Sequence, residues 1–563
     1  MLKRFMRATR SFPFAACSTI AIALLAAAAT TAGAQAPRFE VTISPAASTS
    51  PVTGRLVLVV AKTAQPEPRL AISLRGPAMF GLDLEEVKPN QPVILDDVAI
   101  GYPGRLSSLT PGDYFVQAVI NVYDRVQRAD GKTIWVPMND GTIEFFSDAG
   151  GNLYSDAQPV HVGSGGTVKI AITRVMPAAQ RPQDTEWLKY VSIQSKKLTQ
   201  FWGRPIFIHA GVLLPKGYAA HPGTYYPSVY TLGHSWTPLG FSTSAPPAGR
   251  IGINAVSGLE SGYETYQAWN GENFPRVIAI SLVQQTPYFP DSYSVNSANN
   301  GPYGDAVIEE VIPYLEEHFR VIRKPYARQL EGASTSGWQT LALQLRNPDF
   351  FGGAWVLQPD PVDFSRYITT NIYEDTSAFT VPLGPFVSVE RGFQRTPDGQ
   401  TLHTMRQLSL FEEVLGTHGR SGFQLEAWEA VYGPVGADGY PVPLWDKLTG
   451  KIDRNVANYM RDNGYDLRAY AEKNWPAIGP KLQGKLHFFA GDMDNFWLNL
   501  AVYKFQDFLK STTNPKSDAD FTYGRPMKGH SWHGWTWAEF IRRVGAGVRA
   551  AAPSGENTNA WNY

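Results

Sequence analysis

Residues 331–338 read Glu331-Gly332-Ala333-Ser334-Thr335-Ser336-Gly337-Trp338, and what this run demands of its surroundings decides the fold. A serine hydroxyl is a poor nucleophile unless it is exposed, close to a base and close to donors for an oxyanion. A tight strand-to-helix turn meets these demands together, and small residues on either side of the serine permit its crowded backbone. The run follows the G-x-S-x-G pattern except at its last place, where Ser336 replaces glycine. Taken alone, it could equally be a Gly/Ser-rich turn without chemistry.

Two later segments weigh against that bland reading. Residues 485–490 are strand-like and end in Gly491-Asp492-Met493-Asp494. A carboxylate just after a late strand can orient a catalytic histidine. Asp494 is preferred for its Gly-x-x-Asp spacing, with Asp492 in reserve; the rival uses are an ordinary Asp-rich turn or a cation site. The second segment is Gly529-His530-Ser531-Trp532-His533-Gly534-Trp535, just before a predicted helix over 537–544. From there a histidine can reach back to the serine turn. His530 is preferred to His533 as the base. Ser334, Asp494 and His530 also occur in the order Ser…Asp…His that α/β-hydrolases use.

In this arrangement neutral His530 takes the Ser334 proton as the hydroxyl attacks a carbonyl carbon, and Asp494 holds the imidazole. One oxyanion donor would be the backbone N–H of Thr335. The other would come from His234 or Ser235, in the loop after a predicted strand over 226–232. No metal or organic cofactor is required.

Working outward, residues 201–563 alternate apolar strand runs with amphipathic helices, the mark of an α/β sheet covered by helices. Residues 276–283 (Arg-Val-Ile-Ala-Ile-Ser-Leu-Val) are nearly continuous in apolar residues, as a strand buried on both faces should be. Over 305–319, Val307, Val311, Ile312, Leu315 and Phe319 share one helical face. Residues 351–357 are another strand. The stretch 359–480 is long, polar and irregular, with only scattered helical pieces, and is expected to be an insertion over the sheet, a candidate lid. Residues 35–174 show short alternating segments such as 54–60, 113–120 and 167–172, which predict an accessory all-β, sandwich-like domain. Residues 175–200 read as a linker and connecting helix, with Trp187, Val191 and Ile193 on the helix.

The 563 residues are 43% hydrophobic and 18% charged, a globular composition. Fifty Lys+Arg balance fifty Asp+Glu, so nothing favours capture of nucleic acid or of an anionic membrane. Residues 1–34 read as a secretory signal: Lys3, Arg4, Arg7 and Arg10, an apolar run over 15–29, then Ala32-Gly33-Ala34 before cleavage. That run is too short for a membrane span. Cleavage after Ala34 would remove the single cysteine, Cys17, and with it any disulfide or Cys-based metal site. A periplasmic or secreted protein is expected.

Ser334, Asp494 and His530 with their neighbours resemble the esterase D-like, feruloyl-esterase-like family of α/β-hydrolases. Similar too are Leu213-Leu214-Pro215-Lys216-Gly217-Tyr218 with Tyr226-Pro227-Ser228-Val229-Tyr230, and the run from Asn296 to Gly304 ahead of Glu309-Glu310-Val311-Ile312-Pro313. The resemblance runs from about Gln194 to the C-terminus and implies hydrolysis of carboxylic esters, small or polymeric. Glycine is usual where this chain has Ser336. Tryptophans near the expected site (Trp236, Trp338 and Trp532 foremost, then Trp355, Trp497 and Trp535) would suit an aromatic acyl group or a sugar ring, or else fill the core. Two rival functions remain open at this stage. One is an acyltransferase or peptidase with the same triad; the other is a dead hydrolase scaffold that binds glycan or polymer.

Overall fold

Eight strands between residues 188 and 524 join into one sheet. They are β1 Leu188–Ser195, β2 Ile206–Leu213, β3 Ser228–Leu232, β4 Ile278–Val283, β5 Arg328–Ala333, β6 Gly353–Leu357, β7 Leu486–Gly491 and β8 Asp520–Gly524. Their spatial order is β1-β2-β4-β3-β5-β6-β7-β8. β2 runs antiparallel to both neighbours, and β3 to β8 are mutually parallel. This is the mixed, helix-covered sheet expected of an α/β-hydrolase. The computed structural model describes residues 37–138, 145–163, 165–246 and 261–563. The expected signal segment, 1–34, lies outside them. Among the described residues no helix is long and apolar enough to cross a membrane.

Burial on both faces explains why the central strands are so apolar. Every residue of β4 and β6 is buried. Along β6, Ala354 and Val356 enter one core, with Trp338 and Leu341, while Trp355 and Leu357 enter the other, with Phe489 and Phe540. Successive side chains of a strand point to opposite faces, so one strand serves both layers. Helix α1, Thr335–Arg346, follows β5 directly.

Two expectations need correction. The connecting helix expected within 175–200 is largely the strand β1, paired residue by residue with β2, and only Lys196–Trp202 is helical. The two-residue alternation decides it, because Ile193 and Ser195 are buried while Ser192 and Gln194 are exposed. The stretch between β6 and β7 is also no loose polar cover. It contains helices α2 Met405–Leu415, α3 Gln424–Tyr432, α4 Arg454–Asp462 and α5 Leu467–Ile478. Phe411, Trp428, Trp445 and Met460 from it are fully buried in the same core as Trp338.

Before β1, the described residues of 38–175 contain eleven strands, nine of which form one hydrogen-bonded sheet. Strand Val52–Ala61 shows how that sheet is held. Leu56, Leu58 and Val60 join Phe80 and Ile120 in a local core, while Val57 and Val59 pack into the core that contains Phe411 of the insertion. On the same strand, buried Arg55 donates from Nε to Val414 O (3.0 Å) and from Nη2 to Glu413 O (2.8 Å), and pairs with Asp83 at 3.2 Å. A guanidinium removed from such a place leaves buried acceptors without donors. Arg55→Met should therefore destabilise the protein by about 3–5 kcal/mol, read as a lower denaturation midpoint. An unchanged midpoint would show that Arg55 does not hold the sheet to the insertion.

Candidate active site

β5 ends at Ala333 and α1 begins at Thr335, so Ser334 alone makes the turn, with φ 60° and ψ −122°. Few non-glycine residues enter this part of backbone space, and strain there marks functional sites. The crowding is measurable. A Cβ on Gly332 would lie 2.5 Å from Ser336 Cβ, and one on Gly337 would lie 2.6 Å from Leu357 O. A Cβ on Gly332 would also lie 2.4 Å from Ser336 O, so glycine is required at 332 whatever stands at 336. The turn is pinned to the end of β6: Ser334 N–H donates to Leu357 O (3.0 Å), and Asp360 N–H donates to Ser334 O (3.0 Å).

The loop after β7 carries fully buried Asp494, whose Oδ2 lies 2.6 Å from His530 Nδ1. Asp494 Oδ1 accepts from the backbone N–H of Phe496 (2.8 Å) and of Leu498 (3.2 Å), which fixes the carboxylate. The His530 backbone is anchored by Asn495 Oδ1 at 2.9 Å. The His530 side chain is only 19% exposed. Burial works against an imidazolium there, but the charge and hydrogen bond of Asp494, aided by the charge of Asp360, outweigh it and hold the His530 pKa above its ordinary value. Asp492 turns elsewhere, accepting from Lys528 N–H at 3.0 Å. The two carboxylates therefore do not converge, and among the described residues no cluster of three His, Cys, Asp or Glu side chains could hold a metal. His533 bonds to Trp535 O (3.1 Å), and burial lowers its pKa.

Among the described residues the hydrogen-bond partner of Ser334 Oγ is Asp360 Oδ1, at 3.3 Å, and not His530. Asp360 follows β6, is 2% exposed, and has its pKa raised by burial against the bonds of Tyr293, Trp428 and Thr335 and the charge of His530. The hydroxyl and the imidazole thus share this carboxylate as a neighbour. Sequence reading passed over Asp360; the signal available was an acidic residue three places beyond a fully apolar strand. Opposite the turn, Gly233 approaches so closely that a Cβ there would lie 3.2 Å from Ser336 Oγ, which brings His234 and Ser235 to the site's edge. His234 Nδ1 stands 3.7 Å from Asp291 Oδ2, and Ser235 O accepts from Ser281 Oγ.

The tryptophans fare differently from their expected role. Trp338 has no exposed surface and packs between Tyr293 and Tyr432, so it cannot touch a substrate. Trp236 packs on Tyr190 and His209 of the first two strands, and Trp532 covers Gly524 at the end of β8. Trp355 and Trp535 pack edge to face in the core beneath the sheet. Trp497 lies against Gly392, under Arg395. The aromatic ring set against His530 is that of Phe496, at 4.9 Å.

No family model matches the chain, and no curated protein matches it. The chain is similar to solved serine esterases. A ferulic acid esterase is 16% identical, with 64% of this chain covering 98% of that one, at a TM-score of 0.32. An S-formylglutathione hydrolase from Agrobacterium tumefaciens is 13% identical, over 65% of this chain and 98% of its own, at 0.32. A fluorophosphonate-binding serine hydrolase of Staphylococcus aureus is 14% identical over 64% and 98%, at 0.31. Likeness at this level says nothing of substrate, and the fold assignment rests on strand order.

A raised imidazole pKa has a definite consequence for stability. The Asp494–His530 pair contributes fully below the pKa of a free imidazole, and its contribution fades as pH rises through the folded value. Titration of His530 by NMR should give a pKa above the ordinary one. In Asp494→Asn it should fall markedly, because burial then meets only the charge of Asp360. Equal values in the two proteins would refute this account of the pair.

Proposed function

We propose that this chain is an exported serine esterase that hydrolyses carboxylic esters through an acyl-enzyme on Ser334. The supporting observations are the His530–Asp494 pair, at 2.6 Å, and a serine held at positive φ between β5 and α1, whose hydroxyl shares Asp360 as a neighbour with the imidazole. Asp494 occupies Nδ1, so the imidazole offers Nε2 to the serine. In the reaction, the Ser334 hydroxyl turns from Asp360 toward Nε2 and attacks the ester carbonyl as its proton passes to His530. The imidazolium then gives that proton to the leaving alcohol. Water, deprotonated by the same nitrogen, releases the acid. The oxyanion is met by the backbone N–H of Thr335 and by one from His234 or Ser235. Each such donor is worth about 3 kcal/mol of barrier.

In this reading residues 1–34 are an export signal cleaved after Ala34. The sheet over 38–175 is an accessory unit held on the insertion through Arg55. The substrate is a small or polymeric ester. Catalysis requires no added cofactor.

The mature protein, residues 35–563, should hydrolyse members of a panel of aryl and alkyl esters and become covalently labelled at Ser334 by a fluorophosphonate. Ser334→Ala should lose both, with turnover falling on the order of 10⁵-fold or more. A Ser334→Ala protein that keeps about a tenth of the activity, or a label that settles on another residue, would overturn the proposal.

A further inference from the structure

Asp360 bonds both the proposed nucleophile and helix α3 of the insertion. Its Oδ2 accepts from Tyr293 OH (2.7 Å), Gln424 Nε2 (3.1 Å), Trp428 Nε1 (3.2 Å) and Thr335 Oγ1 (3.2 Å). Its Oδ1 accepts from Ser334 Oγ alone among the described residues. Gln424 and Trp428 stand four apart on α3, so they project from one face of that helix. Both also donate to Tyr293 OH, Trp428 at 2.7 Å. Tyr293 itself sits at φ 63°, a strained conformation of the kind retained where surroundings fix it. Four donors on one oxygen fix the carboxylate plane, and the other oxygen is left facing the serine.

We propose that Asp360 is a positioning residue through which insertion helix α3 governs proton transfer from Ser334 to His530. In the resting protein it holds the hydroxyl. When the hydroxyl turns and its proton moves to Nε2 of His530, Asp360 stays ionised, receives no proton, and stabilises the new imidazolium beside Asp494. This rests on the esterase reading and adds a control that the triad lacks. The charged groups facing His530 are Asp494 and Asp360, with Arg395 bonded to the backbone carbonyl of Asp494. Asp360 itself faces His530 and, beyond Tyr293, Asp291.

Asp360→Asn tests the charge with little change of shape. Its amide oxygen can keep the four donors while its NH₂ meets the serine. The acid limb of kcat/KM, and of the rate of fluorophosphonate labelling, should move to lower pH by about half a pH unit, because a carboxylate near the imidazole has gone. kcat should fall roughly ten- to a hundredfold with KM little changed. Trp428→Phe keeps an aromatic ring at the position, smaller than the indole, and removes one donor, so it should lower kcat several-fold and leave the limb in place. A limb that does not move in Asp360→Asn, with activity lost only in proportion to folded protein, would make Asp360 a plain anchor and overturn the proposal. Should Asp360→Asn not fold, an unchanged kcat in Trp428→Phe overturns it equally. If the wild type takes no label and turns over no ester, the esterase reading fails by itself. NMR titration of His530 in the two proteins then still decides this inference, since equal values refute it.

Discussion

The conformation of one residue constrains the rest of the site. Ser334 sits at positive φ, a place that costs a non-glycine residue on the order of 1–3 kcal/mol and persists only when its neighbours over-determine it. Those neighbours can be named. Gly332 gives way to Ser336, Gly337 lets the helix start against Leu357 O, and the end of β6 clasps the turn from both sides. Since the clasp is backbone bonding to β6, the loop leaving that strand must pass beside the serine. Asp360 N–H is itself part of that clasp, donating to Ser334 O at 3.0 Å.

The second constraint is electrostatic. An imidazole with four-fifths of its surface buried should lose its proton easily, since a charge is costly away from water. One carboxylate within hydrogen-bond distance and another nearby reverse that balance at His530. The reversal works only because Asp494 is itself satisfied by two backbone N–H groups, which spare it the penalty of an unpaired buried charge. Asp492, two residues earlier, is engaged by Lys528 N–H and faces away. Of the two aspartates after Gly491, the tight turn leaves Asp494 pointing back at the histidine.

What could be read from sequence follows from how local the governing forces are. Strands 276–283 and 485–490 were legible since burial on both faces makes a strand apolar throughout, and the structure has β4 and β7 there. The helix at 305–319 was legible from its apolar face, and the structure has a continuous helix over 303–318. β1 was misread as helix because an edge strand is only half buried, and over so short a run Trp187 with Val191 fits the helical period while Val191 with Ile193 fits the strand period. The insertion looked polar since its apolar residues are divided among four helices of nine to twelve residues, none of which forms a core alone. Trp338 was taken for a binding residue because nearness in sequence to Ser334 says nothing of side. One turn into α1 it already points inward. Asp360 was invisible for the opposite reason: its partners Tyr293, Gln424 and Trp428 lie 64 to 68 residues away along the chain, and only folding brings their donors together.

The position of the insertion in the chain ties these strands together. It leaves the sheet at the end of β6, where Asp360 lies, and returns at β7, whose far end leads to Asp494. Its two points of attachment are therefore the strands that deliver the two carboxylates around His530. A rearrangement of the insertion would pull on both. Arg395, from the insertion, donates to Asp494 O at 2.9 Å, and Gln424 with Trp428 donates to Asp360. The insertion thus holds each carboxylate's segment by hydrogen bonds as well as by covalent connection. The same insertion carries the carbonyls that Arg55 of the N-terminal sheet grips. A chain of polar bonds runs from that sheet through α2, whose Glu412 carboxylate accepts from the N–H groups of Leu425 and Glu426, and through α3 to Oδ2 of Asp360, the carboxylate whose other oxygen faces Ser334. Such a chain has physical content because the links through Val414 O, Glu412 and Trp428 are buried, and loss of any of these leaves a donor or acceptor without water to replace it.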